Sequence, residues 1–482
     1  MAWPKWQGKV NFLPIEMARE LAWLEVLPFV TLLWACECGF GSDRLYFQLL
    51  FQQECAGLLN LFRGLHNTPN CNAPEQGSTL QLISVNSPCS PFRPKTQLSW
   101  PDTVLQMQSS DKARLQYLSS LLVAAGRRSI VPIASGRAVT QNPTYIVRAK
   151  IGTPAQTLLM AVDTSNDAAW IPCTGCVGCS GAAIYDSSKS ATFKPVSCGA
   201  AQCNQVPNPS CGGATCGFNL TYGGSTIAAS LVQDNITLAT DSVSGYTFGC
   251  IQKATGASVP AQGLLGLGRG PLSLLSQSSS LYQSTFSYCL PSYKSPNFTG
   301  SLRLGPNSQP KKIRTTELLK NPRRSSFYYV NLMGIRVGRR VVNIPPTAFS
   351  FDPTTGAGTV FDSGTVFTIL VKPAYTAVRD EVRRQMGNAT VSSLGGFDTC
   401  YTVPVTVPTI TLMFSGLNMS LPQDNFLIRS TAGTTSCLAM AAAPDNNVNS
   451  VLNVIATFQQ QNHRVLIDLP NSKLGVAREP CS

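Results

Sequence analysis

The sequence predicts an all-β protein built from two similar lobes. Three observations carry that prediction. Beyond Pro143, short runs rich in Val, Ile, Thr, Tyr and Phe alternate with Gly, Asn and Ser, as strands alternate with turns. Charged residues make up only 13% of the chain against 43% hydrophobic residues, which suits a β-rich body better than a helical bundle. The chain also repeats itself. Apolar residues lead into Asp163 (MAVDTS) and again into Asp362 (TVFDSGT). Each is followed by an apolar–apolar–small segment: Leu264–Leu265–Gly266, with Gly266 103 residues beyond its Asp, and Val454–Ile455–Ala456, with Ala456 94 residues beyond its Asp.

The elements follow in order. With 482 residues the chain exceeds what one core usually serves, so more than one domain is expected. Residues 1–65 form an uncertain N-terminus. Within it Val26–Cys36 is apolar and has the length of a signal-peptide core, too short for a membrane span. Residues 66–129 read as a pro-segment. Asp102 and Thr103 can cap a helix in which Leu115, Leu118, Leu121 and Leu122 recur at helical spacing, with Lys112 and Arg114 nearby. The basic pair Arg127–Arg128 follows and offers a cleavage point. Residues 130–325 and 326–482 then form the two β lobes. Strands are expected at 145–149, 158–162, 328–337 and 465–468, and one helix over 373–386, with Ala377, Val378 and Val382 on its apolar side.

Cysteines and sequons indicate the compartment. Twelve of the 17 cysteines lie in the two lobes. Cys173, Cys176, Cys179, Cys198, Cys203, Cys211, Cys216, Cys250 and Cys289 lie in the first, and Cys400, Cys437 and Cys481 in the second. If all twelve pair, at least one bridge joins the lobes. Cys289–Cys481 is the candidate, although connectivity does not follow from sequence alone. Five glycosylation sequons, at Asn219, Asn235, Asn297, Asn388 and Asn418, occupy the same region. Together they favour a secreted, extracellular (apoplastic) protein, with a plastid as the alternative. Acidic residues at Glu16, Glu20, Glu25 and Glu37 count against a transit peptide. No stable membrane span is expected, and a monomer is.

Several chemistries are excluded. The net charge of +13 is spread without a basic helix or aromatic–basic interleave, so nucleic acid is not an expected partner, whereas acidic wall polymers stay open. Only His66 and His463 are present and there is no GxSxG elbow, which removes the basis for Ser-His or Cys-His hydrolysis. The Cys173–Cys176–Cys179 run lacks a second CxxC or a His cluster and reads as a disulfide-knotted loop. No metal or cofactor is expected. Paired carboxylates remain. Two carboxylates held close together share one proton over an acidic window. One can then take a proton from water while the other polarises a carbonyl.

At these residues the chain resembles the pepsin-like aspartic proteases, and within them the cysteine-rich plant branch related to nepenthesin and nucellin. The resemblance spans residues 143–482. It rests on DSGT at Asp362–Thr365, Trp170 seven residues after Asp163, TYGG at Thr221–Gly224 and GLLGLG at Gly263–Gly268. FSYCL at Phe286–Leu290, FYYVNLMGIRVG at Phe327–Gly338 and FQQQN at Phe458–Asn462 complete it. It implies a bilobal, pepsin-like double β-barrel with the active-site cleft between the lobes, and a polypeptide substrate. It further implies that Asp163 and Asp362 are the catalytic pair, that Thr164, Asn166, Ser363 and Thr365 support the active loops, and that Tyr222 lies on a flap with Trp170 behind it.

One departure stands out. The first active loop reads Asp163-Thr164-Ser165-Asn166 where the family usually has DTGS. A side chain stands where glycine leaves space, and an amide replaces a hydroxyl. Two functions are therefore expected in order: an acid aspartic endopeptidase, and, as the alternative, a catalytically weak or inactive pseudo-protease acting as a binding or inhibitor-like glycoprotein.

Overall fold

Each of the two repeated Asp segments is a strand that runs parallel to a later strand of its own half. Gln156–Asp163 pairs with Leu264–Gly266, placing Gly266 beside Asp163. Gly358–Phe361 pairs with Leu452–Ile455, placing Ile455 beside Phe361, and Asp362 follows directly. Met160–Asp163 at the end of the first strand and the whole of Gly358–Phe361 are buried, which accounts for their nearly continuous apolar runs.

The computed structural model describes residues 71, 79–84, 87, 89–90, 99–123, 145–179, 184–222, 225–256, 263–292, 300–322, 324–430, 433–444 and 451–481. All belong to one unit, Pro69–Ser482. The apolar run at 26–36, the pair Arg127–Arg128, Asn297 and Gly223–Gly224 lie outside the described residues.

The expectation of two closed β-barrels is corrected. Twenty strands join in one continuous main sheet that is not a closed barrel, and two open four-stranded sheets complete the β structure. The cause is a shared C-terminal hairpin. His463–Asp468 pairs with its neighbour Lys473–Arg478 and, on its other side, with Thr285–Cys289. Lys473–Arg478 pairs in turn with Arg314–Leu319, while Gly300–Leu304 lies between Thr285–Cys289 and Thr79–Ser84. Strands on both sides of residue 325 thus spend their backbone donors and acceptors on one antiparallel layer, and neither half closes on itself. The mostly-β, two-part sheet arrangement stands.

Arg464 fixes that layer from inside. Its side chain is fully buried and donates to Ser287 Oγ at 3.0 Å, to Ser301 Oγ at 2.8 Å and twice to Glu479, at 2.6 and 2.7 Å. A buried cation with every partner hydrogen-bonded is tolerated where an unpaired one is not. The disulfide Cys289–Cys481 lies at the same place.

Two helices matter for the site. Lys372–Met386 begins with Pro373 in its first turn and ends at Gly387, whose φ of +61° suits glycine. It buries Ala374, Tyr375, Val378, Glu381 and Val382, whereas Ala377 is only partly buried. The second helix, Trp100–Val123, begins earlier than its expected cap. Ser99, rather than Asp102 or Thr103, takes that place: its Oγ accepts from the Asp102 amide at 3.3 Å and donates to the Asp102 carboxylate at 2.5 Å. Val104 and Leu115 of this helix enter two separate core clusters, beside Phe367 and Phe397 and beside Tyr329 and Val454. Burying each is worth roughly 1.5–3 kcal/mol at most, so the helix is part of the packed body.

Candidate functional site

The two active loops meet by reciprocal bonds. The Thr164 amide donates to Ser363 Oγ at 3.1 Å and the Ser363 amide donates to Thr164 Oγ1 at 2.9 Å. Ser363 Oγ in turn donates to the Val162 carbonyl at 3.3 Å. Because each hydroxyl serves the opposite strand end, Asp163 and Asp362 are brought to one place and both are buried. Thr365 Oγ1 donates to Asp362 Oδ2 at 2.5 Å, and the Gly364 amide to Oδ1 at 3.2 Å.

Asp163 is more heavily engaged. Its Oδ1 accepts from the Ser165 amide and from Ser165 Oγ, both at 2.9 Å. Its Oδ2 accepts from Asn166 Nδ2 at 2.6 Å and from the Tyr222 hydroxyl at 3.2 Å. Tyr222 comes from the hairpin of Gly217–Tyr222 and Ser225–Leu238, and Trp170 meets its ring edge-on at a centroid distance of 5.3 Å.

A further group occupies the same space. Arg114 of the helix Trp100–Val123 donates from Nη2 to Asp163 Oδ1 at 2.6 Å and to Asp362 Oδ1 at 3.3 Å, and also bonds Ser165 Oγ. Its Nε lies 3.5 Å from Asp362 Oδ2. The guanidinium is buried and sits 5.5 Å from the centre of the Tyr222 ring. Gly364 makes room for it, since a Cβ there would stand 2.6 Å from Arg114 Nη2. One turn earlier, Asp111 accepts from the Val366 and Phe367 amides, both at 2.6 Å. Burial pushes the Asp111 carboxyl well above its ordinary range. The two amides oppose that shift, while the charge of Asp362 adds to it.

Neither role was readable from the sequence. The spacing of Asp111, Arg114 and Leu115 does put them on one helical face, which is the only available signal. Asp167 was also missed. It accepts from Gly270 N at 2.7 Å and Ser326 Oγ at 2.5 Å, and burial raises its carboxyl above the ordinary value. Glycine is required at Gly270, because a Cβ there would fall 2.3 Å from the Asp167 carboxyl carbon.

The twelve lobe cysteines form Cys173–Cys250, Cys176–Cys179, Cys198–Cys211, Cys203–Cys216, Cys289–Cys481 and Cys400–Cys437, and Cys71–Cys89 is a seventh bridge. So many disulfides belong to an oxidising compartment, and the protein is of the secreted, extracellular kind. Of the sequon residues, Asn219, Asn388 and Asn418 are exposed and Asn235 is half-buried. Among the described residues no helix is long and apolar enough to cross a membrane, and no group of three or more His, Cys, Asp or Glu is arranged to hold a metal ion.

Two strand-end aspartates, locked together by Thr164 and Ser363 in the middle of a two-part β body, define the pepsin-like class. The chain belongs to the pepsin-like aspartic protease family, in the branch described as xylanase inhibitor. The N-terminal model of that description matches residues 145–306 and the C-terminal model residues 327–478. The chain is similar to aspartyl protease AED3 of Arabidopsis thaliana, 50% identical over 420 residues, covering 85% of this chain and 93% of that protein. In fold it is similar to the crystal structure of edgp, with a TM-score of 0.58 at 19% identity over 72% of this chain and 93% of the other. Basic 7S globulin from soybean gives 0.56 at 20%, over 70% and 93%.

The two family models overturn the expectation of an active acid endopeptidase, and with it the assignment to hydrolases, proteolysis and peptidase A1. Both halves match models described by inhibition. The physical counterpart is the Ser165–Asn166 loop, which aims two side chains at Asp163.

Proposed function

We propose that this protein is a secreted binding glycoprotein, weak or inactive as a protease, that uses a pepsin-like scaffold to engage a partner protein in the manner of an inhibitor. One observation carries the reading. Five donors converge on the Asp163 carboxylate: Ser165 N, Ser165 Oγ, Asn166 Nδ2, Tyr222 Oη and Arg114 Nη2. A carboxylate offers about four lone-pair sites, so the chain itself saturates the group that would have to activate water.

On this reading Asp163 and Asp362 are structural rather than catalytic carboxyls at the centre of the site. Thr164, Ser363, Asn166 and Thr365 hold them, and Tyr222 and Trp170 close the hairpin over them. The helix Trp100–Val123, within the pro-segment expected at 66–129, sets Arg114 against both aspartates, and 130–325 and 326–482 serve as the two lobes. The description of the matching family models makes a xylanase the first partner class to test. The test is titration of xylanases with the full chain, followed by residual hydrolase activity and by calorimetry. A stoichiometric complex with loss of xylanase activity supports the reading. Hydrolysis of the added xylanase, with no complex, contradicts it.

A further inference from the structure

The hairpin that carries Tyr222 has two unlike faces. Phe218, Tyr222 and Ile227 point inward and are buried with Trp170. The opposite face is polar. Register places Asn219 beside Ala228 and Lys253, and Thr221 beside Thr226 and Thr255. These two rows line a groove of about 420 Å³, rimmed by Asn208 from the loop closed by Cys198–Cys211 and Cys203–Cys216. Hydroxyls, amides and one ammonium around the Ala228 methyl match the chemistry of a sugar ring, with its alternating hydroxyls and apolar C–H face.

The occupant is indicated by the groove itself. Asn219 opens an Asn-Leu-Thr sequon, is exposed, and makes no side-chain hydrogen bond among the described residues. Asn235 gives the contrast. Its Nδ2 donates to Thr153 Oγ1 at 3.3 Å and its Oδ1 accepts from Gly245 N at 3.3 Å, so its amide is already engaged at both ends. We infer that Asn219 carries an N-linked glycan whose first N-acetylglucosamine lies in this groove, on the outer face of the hairpin and opposite Tyr222. The inference requires only the secretory route and stands apart from the proposed binding role. A sugar held there covers the outer face with polar contacts and leaves the inner face unchanged.

The test uses the full chain secreted from plant cells, with glycopeptide mass spectrometry and a peptide:N-glycosidase that accepts plant cores. Asn219 is expected to be occupied. Its release from the native protein should be slower than from the denatured protein by about five- to thirtyfold, the factor that one or two net hydrogen bonds give. Glycans at the exposed Asn388 and Asn418, outside this groove, should show less of that difference. Lys253→Ala combined with Asn208→Ala, both changes at exposed positions, should bring the native rate at Asn219 toward the denatured one. An unmodified Asn219 in the secreted chain overturns the inference. So does an occupied Asn219 released equally fast from native and denatured protein, or a native rate that the double variant leaves unchanged.

Discussion

Arg114 and Asp163 are joined across 2.6 Å in the buried interior, although 49 residues of chain separate them. The same guanidinium reaches Asp362 at 3.3 Å, so one cation bridges two carboxylates that would otherwise repel one another. The helix Trp100–Val123 is therefore held by charge at Arg114, by hydrogen bonds at Asp111 and by packing at Val104 and Leu115.

Removing that cation should be costly. Arg114→Met leaves two buried carboxylates uncompensated, and the expected loss is about 3–5 kcal/mol by urea denaturation. Part of it should return in Arg114→Met combined with Asp163→Asn, with a coupling of about 0.5–3 kcal/mol. A loss below about 1 kcal/mol with strictly additive effects contradicts the pairing.

Asp111 gives a pH dependence with a definite sign. Its carboxyl is raised, chiefly by burial and further by Asp362. A raised carboxyl contributes stability that is fully present below its unfolded value and is lost as pH rises through its folded value. Asp111→Asn removes the charge, but its Nδ2 cannot accept the second amide, so it should lie below the parent in mild acid and narrow that gap as pH rises, as read by urea midpoints between about pH 4 and 8. The opposite trend would mean that the Val366 and Phe367 amides keep Asp111 ionised against its burial.

Glu479 has the reverse sign. Its bonds to Arg464 hold the carboxyl below the ordinary glutamate value. The stability it contributes is present above the unfolded value and is lost as pH falls through the folded one. Glu479→Gln should cost about 1.5–3 kcal/mol near neutrality, and the difference from the parent should shrink in acid. A difference independent of pH would show that Arg464 is held by Ser287 and Ser301 alone.

The Cys289–Cys481 bridge closes a span of 192 residues beside the shared hairpin. Replacing both cysteines by alanine should destabilise the protein by about 2–5 kcal/mol. An unchanged melting temperature would show that hairpin pairing and the Arg464 cluster hold that layer without it.

How much of this was legible depends on the range of each interaction. The two Asp segments could be found because each is a local pattern, an apolar strand that ends in Asp-Thr or Asp-Ser, and the later partner strands repeat it. The helix at Lys372–Met386 could be found because its period is local. The open main sheet could not, since it follows from His463–Arg478 serving strands on both sides of residue 325. Arg114 and Asp111 looked like ordinary charges on an amphipathic helix. Their roles appear only once tertiary packing sets them against Asp163, Asp362 and the amides of Val366 and Phe367. The departure at Ser165 and Asn166 was visible in the sequence, but its consequence was not. Both side chains turn inward to the carboxylate rather than away from it.

The most direct measurement is peptide hydrolysis from about pH 2.5 to 7 by the full chain, by Arg114→Ala, and by Arg114→Ala combined with Asp163→Asn. Arg114→Ala loosens the hold of the helix on the two aspartates, so a blocked cleft and an incompetent loop are told apart. If the Asp163 carboxyl is saturated by the chain's own donors, none of the three cleaves peptides, and the two Arg114 variants are indistinguishable at every pH. A low-pH maximum in Arg114→Ala that vanishes when Asp163 is also replaced would contradict the account.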